Sequence, residues 1–129
     1  MIRMLNPQSI AQPASAYSHG VLIPAGADVV LTSGTLGNLP DGTLGTDLET
    51  QCRQIFANTQ AILGEAGMGL SDVVKINTYL TGRGQTAVFR GIRDEFLPHR
   101  PTSTAFVVAE LLHPSWLIEI EMVAAKVRA

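Results

Sequence analysis

The chain has 129 residues, of which 46% are hydrophobic and 16% charged, with a formal net charge of −2. This length predicts a single domain over residues 1–129, and the acidic balance without a Lys/Arg cluster argues against a nucleic-acid partner. With no apolar run of about twenty residues and no signal-peptide pattern, we expect no membrane partner and a soluble, cytoplasmic protein.

The first third of the chain predicts two strands and a long loop. Residues 1–16 are a lead-in with a weak pattern, and residues 17–23 are consistent with a short strand. Residues 29–33 form a β-branched run closed by Gly34, which indicates a buried strand. Residues 37–45 are rich in Gly, Pro, Asn and Asp, so we expect a loop there.

Two helices follow from apolar residues that recur every three or four positions. The first helix is predicted over 48–63, with Thr46 or Asp47 as its N-cap. The second is predicted over 88–96 and stops before Pro98. Strands are predicted over 73–80, 104–109 and 117–127.

The element order is therefore ββαβαββ, which predicts an α/β (α+β) fold with two helices on one face of a sheet. The other face would stay open in a monomer. The low charge content leaves little polar surface to cover that face, so we expect self-association.

The last strand carries the clearest alternation in the chain. Ile118, Ile120 and Met122 point one way, while Glu119 and Glu121 point the other way. Two carboxylates on one face of a strand are unusual in an apolar domain. We expect that face to meet water, a partner chain or a ligand.

Five short motifs, in this order along the chain, resemble the RidA (YjgF) family of small imine and enamine deaminases. They are Tyr17-Ser18-His19-Gly20, Thr32-Ser33-Gly34, the set Gln51, Arg53 and Asn58, Val73-Val74-Lys75, and Ile118-Glu119-Ile120-Glu121. Each motif is weak alone, but together they span nearly the whole chain.

This resemblance implies a chorismate-mutase-like fold with a mixed sheet. It also implies a homotrimer with three clefts between subunits, each lined by two chains. Typical members hydrolyse reactive 2-aminoacrylate-type enamines and imines to 2-keto acids and ammonia, without a metal or an organic cofactor.

A rival interpretation is a non-catalytic trimer that binds a small metabolite or a partner protein. Some relatives have been called endoribonucleases, but the acidic balance argues against that activity here.

The resemblance also assigns site residues. Glu119 matches the residue that positions the hydrolytic water, and a carboxylate can hold and deprotonate water. Tyr17 and Ser33 match cleft residues that hydrogen-bond the ligand, with Tyr17 grouped with Glu119 as catalytic. Gly34 would supply backbone conformation or close approach. The alternatives are a solvated or interface carboxylate at Glu119, a packing tyrosine and a turn serine.

The chain departs from the family at the carboxylate anchor. Ser103 stands where the family's deaminases carry an arginine, and Ala105 stands where many members keep a cysteine. Serine offers one neutral donor, whereas a guanidinium is charged and binds a carboxylate through two parallel hydrogen bonds. The family's usual carboxylate-bearing substrate is therefore in question for this chain. Arg90 is predicted either as a replacement anchor at a cleft-edge position or as a surface arginine.

The remaining candidates predict structural roles. Cys52 falls on the apolar stripe of the first helix, which favours a core position over a nucleophile. No His lies at a spacing that pairs it with other ligands, so no metal site is expected.

Overall fold

The computed structural model describes residues 1–128. Eight elements follow one another along the chain: β1 (Arg3–Leu5), β2 (Gly20–Leu22), β3 (Ala27–Leu31), α1 (Leu48–Gly64), β4 (Val73–Leu80), α2 (Thr86–Phe96), β5 (Thr102–Val107) and β6 (Ile118–Val127). Short 3-10 turns precede β4 and α2.

Four strands form one mixed sheet in the order β3-β6-β4-β5. β6 runs antiparallel to both β3 and β4, while β4 and β5 are parallel and are joined through α2. The predicted α+β fold with two helices packed on a mixed sheet is confirmed. The lead-in holds one further strand, β1, which pairs only with β2 in a separate two-stranded sheet.

The helices cover the apolar face of the large sheet. Asp47 caps α1, because its Oδ1 accepts the backbone N–H of Thr50 at 2.8 Å. The buried stripe of α1 includes Cys52, Ile55, Phe56 and Leu63. It packs over the inward residues of β4 and β6, namely Ile76, Leu80, Ile118, Ile120 and Met122. Cys52 is confirmed as a core residue, and burial raises the pKa of its thiol to about 12.

Two polar residues of α1 hold the loops that border the open side of the molecule. Gln51 is 1% exposed and makes three side-chain hydrogen bonds. Its partners are the carbonyls of Gly45 and Ser115 and the backbone N–H of Leu117. Asn58 donates to the carbonyls of Leu36 and Asn38, both at 2.9 Å. These bonds fix the loop after β3 and the loop before β6, which flank the site described below.

Within residues 1–128, no helix combines the length and the apolarity that crossing a bilayer requires.

Candidate functional site

Glu119 lies on the face of the large sheet that the helices leave uncovered. The register aligns it with Tyr79 on β4, which in turn aligns with Phe106 on β5. It borders a shallow depression of about 230 Å³ together with Tyr79 and Leu111. The alternation predicted for β6 is therefore observed, with the two glutamates outward and the apolar residues buried.

A bulge directly after β3 brings Gly34 against Glu119. Leu31 pairs with Val123, but the next bridge joins Thr35 to Ile120, so three residues on one side oppose two on the other. A methyl group added at Gly34 would lie 2.8 Å from the carboxyl carbon of Glu119 and would overlap one of its oxygens. Only glycine fits there without displacing the carboxylate. Ser33 precedes Gly34 in the bulge and is exposed, so its place in the site comes from its position beside Gly34. Ser33, Gly34 and Glu119 are called the Glu119 half-site below.

The two glutamates of β6 differ in their partners. Glu121 accepts hydrogen bonds from the Tyr79 hydroxyl at 2.7 Å and from the Asn77 amide at 3.2 Å. The hydrogen bond to Glu121, followed by burial and the nearby carboxylates, raises the pKa of Tyr79. Glu119 accepts no hydrogen bond from the part of the chain that the structure describes, so its carboxylate can receive one from water or a ligand.

A second group of predicted residues lines a cavity of about 320 Å³ between β5, α2 and the lead-in. Tyr17, Arg90, Ser103 and Ala105 all border it. Arg90 is exposed, as its position on the helix predicted, and it faces this cavity. These four residues are called the Ser103 half-site below.

Arg93 also lines this cavity, and the sequence interpretation missed it. Its side chain is only 4% exposed. Nη1 donates to the Ser103 hydroxyl at 3.2 Å and Nη2 to the Ser15 hydroxyl at 3.4 Å, while Nε bonds the Asp94 carboxylate at 3.0 Å. The guanidinium lies 5.7 Å from the centroid of the Phe89 ring. A guanidinium therefore lies beside Ser103, but it is carried by Arg93 on α2 and not by a residue of β5.

A signal for Arg93 was present in the sequence. Phe89, Ile92 and Phe96 form the apolar stripe of α2, and Arg93 falls on that stripe at the i+4 position from Phe89. A charged side chain on a buried stripe needs polar or anionic groups around it in the interior. A buried arginine is therefore a better candidate for a binding role than an arginine that points into solvent.

One chain does not bring the two half-sites together. Ser103 is aligned with Ile76 and Met122, which lie on the helix-covered face, whereas Glu119 lies on the open face. The sheet thus separates Ser103 from Glu119.

No metal centre emerges from the donor set. Across residues 1–128, no three His, Cys, Asp or Glu side chains gather closely enough to hold an ion.

Comparisons with known proteins agree over nearly the whole chain. Residues 8–126 match the family model described as Endoribonuclease L-PSP. A RutC family protein of Pyrococcus horikoshii is 34% identical over 80 residues, a match that spans 62% of this chain and 64% of that protein, less than two thirds of its length. TdcF of Escherichia coli, whose name marks it as a candidate reactive intermediate deaminase, is 28% identical over 98% of both chains.

Solved structures show the same relationship. YyfB of Yersinia pestis, a protein of unknown function from the conserved Rid family, superposes with a TM-score of 0.83 at 27% identity, covering 97% of this chain and 98% of that one. RidA from an Antarctic Psychrobacter gives a TM-score of 0.71 at 30% identity, covering 95% and 98%. With the family model matched over most of its length and the motifs in their places, the chain belongs to the RidA (YjgF) family.

Proposed function

We propose that this protein is a hydrolytic deaminase that converts a reactive imine or enamine to a keto compound and ammonia. The observation that carries the proposal is the Glu119 half-site, where a glycine bulge makes room for a carboxylate that accepts no hydrogen bond from the described chain. Membership of the family that includes RidA and TdcF supports it. The reaction needs neither a metal nor an organic cofactor, and we propose the cytoplasm as its location.

We place the site between chains of a homotrimer. Residues of the Glu119 and Ser103 half-sites lie on opposite faces of one sheet, so a shared cleft needs the open face of one chain against the cavity of another. Large apolar side chains support this assembly, because Leu31, Phe106 and Leu112 are 74%, 54% and 94% exposed in the single chain. Such residues are typical of surfaces that associate.

The proposed chemistry assigns each proton. Glu119 accepts a proton from a water molecule as the water oxygen bonds to the imine carbon. Glu119 passes this proton to the imine nitrogen, which gives a neutral carbinolamine. Glu119 then takes the hydroxyl proton as the C=O bond forms and delivers it to the nitrogen as the C–N bond breaks, so ammonia leaves and the carboxylate is regenerated. An enamine first gains a proton at carbon and loses one from nitrogen to reach the same imine. Tyr17 belongs to the Ser103 half-site, and we propose that its hydroxyl contacts the ligand.

Ammonia release tests this proposal directly. An amino-acid oxidase generates imines in situ, and the protein should accelerate their conversion to keto compounds beyond the rate in water. Comparing imines made from amino acids with carboxylate-free imines made by an amine oxidase would define the substrate class. Ammonia release equal to the protein-free rate for every imine tested would contradict the proposal.

Ser103 favours a second candidate function, a non-catalytic trimer that binds a small metabolite or a partner. Without an arginine on β5, the cavity can retain its shape while losing the bidentate hydrogen bonds that would bind a substrate carboxylate. Saturable binding of a small keto acid without any ammonia release from the matching imine would favour this candidate.

A further inference from the structure

The cavity beside Ser103 contains a buried positive charge that the family pattern does not explain. Arg93 is 3% exposed as a residue, and an arginine side chain keeps its charge at all accessible pH values. Its carboxylate partner, Asp94, is 43% exposed and bonds only the Nε edge. Burying a guanidinium is costly unless anionic or polar groups surround it. The two terminal nitrogens of Arg93 therefore need hydrogen-bond acceptors.

The hydrogen-bond count leaves donors for a ligand. A guanidinium has five N–H groups. Within the described chain, three of them bond Asp94, Ser103 and Ser15, one from each nitrogen. One N–H therefore remains on each terminal nitrogen. A pair of donors on adjacent nitrogens matches the two oxygens of a carboxylate.

The lining of the cavity has a single sign of charge. Arg90 and Arg93 both border it, whereas none of the residues that line it is Asp or Glu. The hydroxyls of Ser15, Tyr17 and Ser103 add neutral donors. Clefts lined by one sign of charge concentrate ligands of the opposite sign, so this cavity favours a small anion.

We infer that Arg93 is the carboxylate anchor of this protein, supplied from α2 in place of the β5 arginine that Ser103 replaces. This inference rests on the proposed function, in which the ligand is an imine, and it adds that the imine bears a carboxylate. Ser103 acts as a positioning residue, because its hydroxyl accepts a hydrogen bond from Arg93 and holds the fork at the cavity wall. Arg90, at the exposed rim, remains a prediction as a second contact.

The test compares an anionic ligand with a neutral ligand of nearly the same size and shape. Binding of 2-oxobutanoate and of its neutral amide is measured by calorimetry for wild type and Arg93→Met, with Arg83→Met as a matched control on an exposed arginine outside the cavity. Arg93→Met should weaken binding of the acid about 30-fold or more and leave the amide unchanged, the scale for losing one partner of a desolvated charge pair. Arg83→Met should bind both ligands as wild type does.

Two results would overturn the inference. One is an unchanged preference for the acid in Arg93→Met. The other is loss of that preference in Arg90→Gln while Arg93→Met keeps it. If Arg93→Met does not fold, the Nε–H resonance of Arg93 in ¹⁵N-labelled wild type serves instead. It should shift on saturation with 2-oxobutanoate but not with the amide, and no shift with the acid would equally reject the anchor.

Binding and turnover fail separately. Acid-selective binding that depends on Arg93, in a protein that releases no ammonia from any imine, would support the anchor and reject the deaminase. Ammonia release that is unaffected by Arg93→Met would do the reverse.

Discussion

Glu119 and Ser103 occupy opposite faces of the same four-stranded sheet. Glu119 is aligned with Tyr79 on the uncovered face, and Ser103 is aligned with Ile76 on the face that packs against the helices. A ligand cannot touch both residues within one chain, because their side chains are on opposite faces of the sheet and β4 lies between their strands. The proposed reaction therefore depends on assembly as much as on any single side chain.

Glu119→Gln should lower turnover by about 10²-fold or more, because the amide cannot accept the proton of water. The substitution preserves the shape of the side chain, so the oligomer should persist. Ammonia release from an in situ imine measures the effect.

Glu121→Gln is the matched control on the same strand face. Its carboxylate bonds Tyr79 and Asn77, so the substitution should lower the free energy of unfolding slightly and leave most of the turnover intact. Equal losses of activity in the two variants would show that the pair has a structural role.

Gly34→Ala should impair activity without unfolding the chain. The added methyl would overlap the Glu119 carboxylate and push it away from the bulge. Gly91→Ala on α2 is the control, since no atom lies within 4 Å of its added methyl. It should raise the free energy of unfolding by about 0.5–1 kcal/mol, the helix preference of alanine over glycine. Wild-type turnover in Gly34→Ala would show that the contact with Glu119 has no bearing on the reaction.

Thr78→Val tests whether an unpaired hydroxyl in the core lowers the stability of the fold. The Thr78 hydroxyl is fully buried and has no hydrogen-bond partner among the residues described. Replacing it by a methyl group of similar size removes the desolvation penalty, so unfolding should cost about 1 kcal/mol more. Urea denaturation measures the change. A loss of stability in Thr78→Val would indicate that the hydroxyl has a partner in the native protein.

Cys52 should make the fold less stable at alkaline pH. Burial raises the pKa of its thiol from 9.0 to about 12, so between these values the folded protein holds a proton that the unfolded chain releases. The stability that the protonated Cys52 thiol contributes is complete below pH 9 and declines as the pH rises toward 12. Urea titrations at several pH values would reveal it, with Cys52→Ala as the comparison. The alanine variant should lose less stability than wild type over this interval, and an identical slope would contradict the account.

Local patterns predicted much of the fold. The bounds of β4 were predicted correctly, and Asp47 was one of the two residues predicted as the cap of α1, since both features depend on neighbours in sequence. β1 was missed because its three residues gain their structure from pairing with β2. β3 ends at Leu31, two residues earlier than predicted, because the bulge beside Glu119 interrupts the ladder.

The site was predictable in part. Motifs indicated Glu119, Gly34 and Ser103 as candidate residues. Their distribution over the two faces of the sheet depends on strand register, which no single segment contains. Arg93 was overlooked for a related reason. Its partner hydroxyls on Ser15 and Ser103 are distant in sequence, and only the packing of α2 on β5 and the lead-in brings them together.

Mixed oligomers test the central claim most directly. Glu119→Gln removes the carboxylate of one half-site, and Ala105→Phe fills the cavity of the other. Each variant alone should be inactive, and native mass spectrometry should show that each is a trimer. Unfolding and refolding the two together at equal concentrations should restore ammonia release at about one quarter of the sites, because each site draws its halves independently from two chains. A mixture as inactive as its components, despite mixed trimers in the mass spectrum, would show that no site is shared between chains.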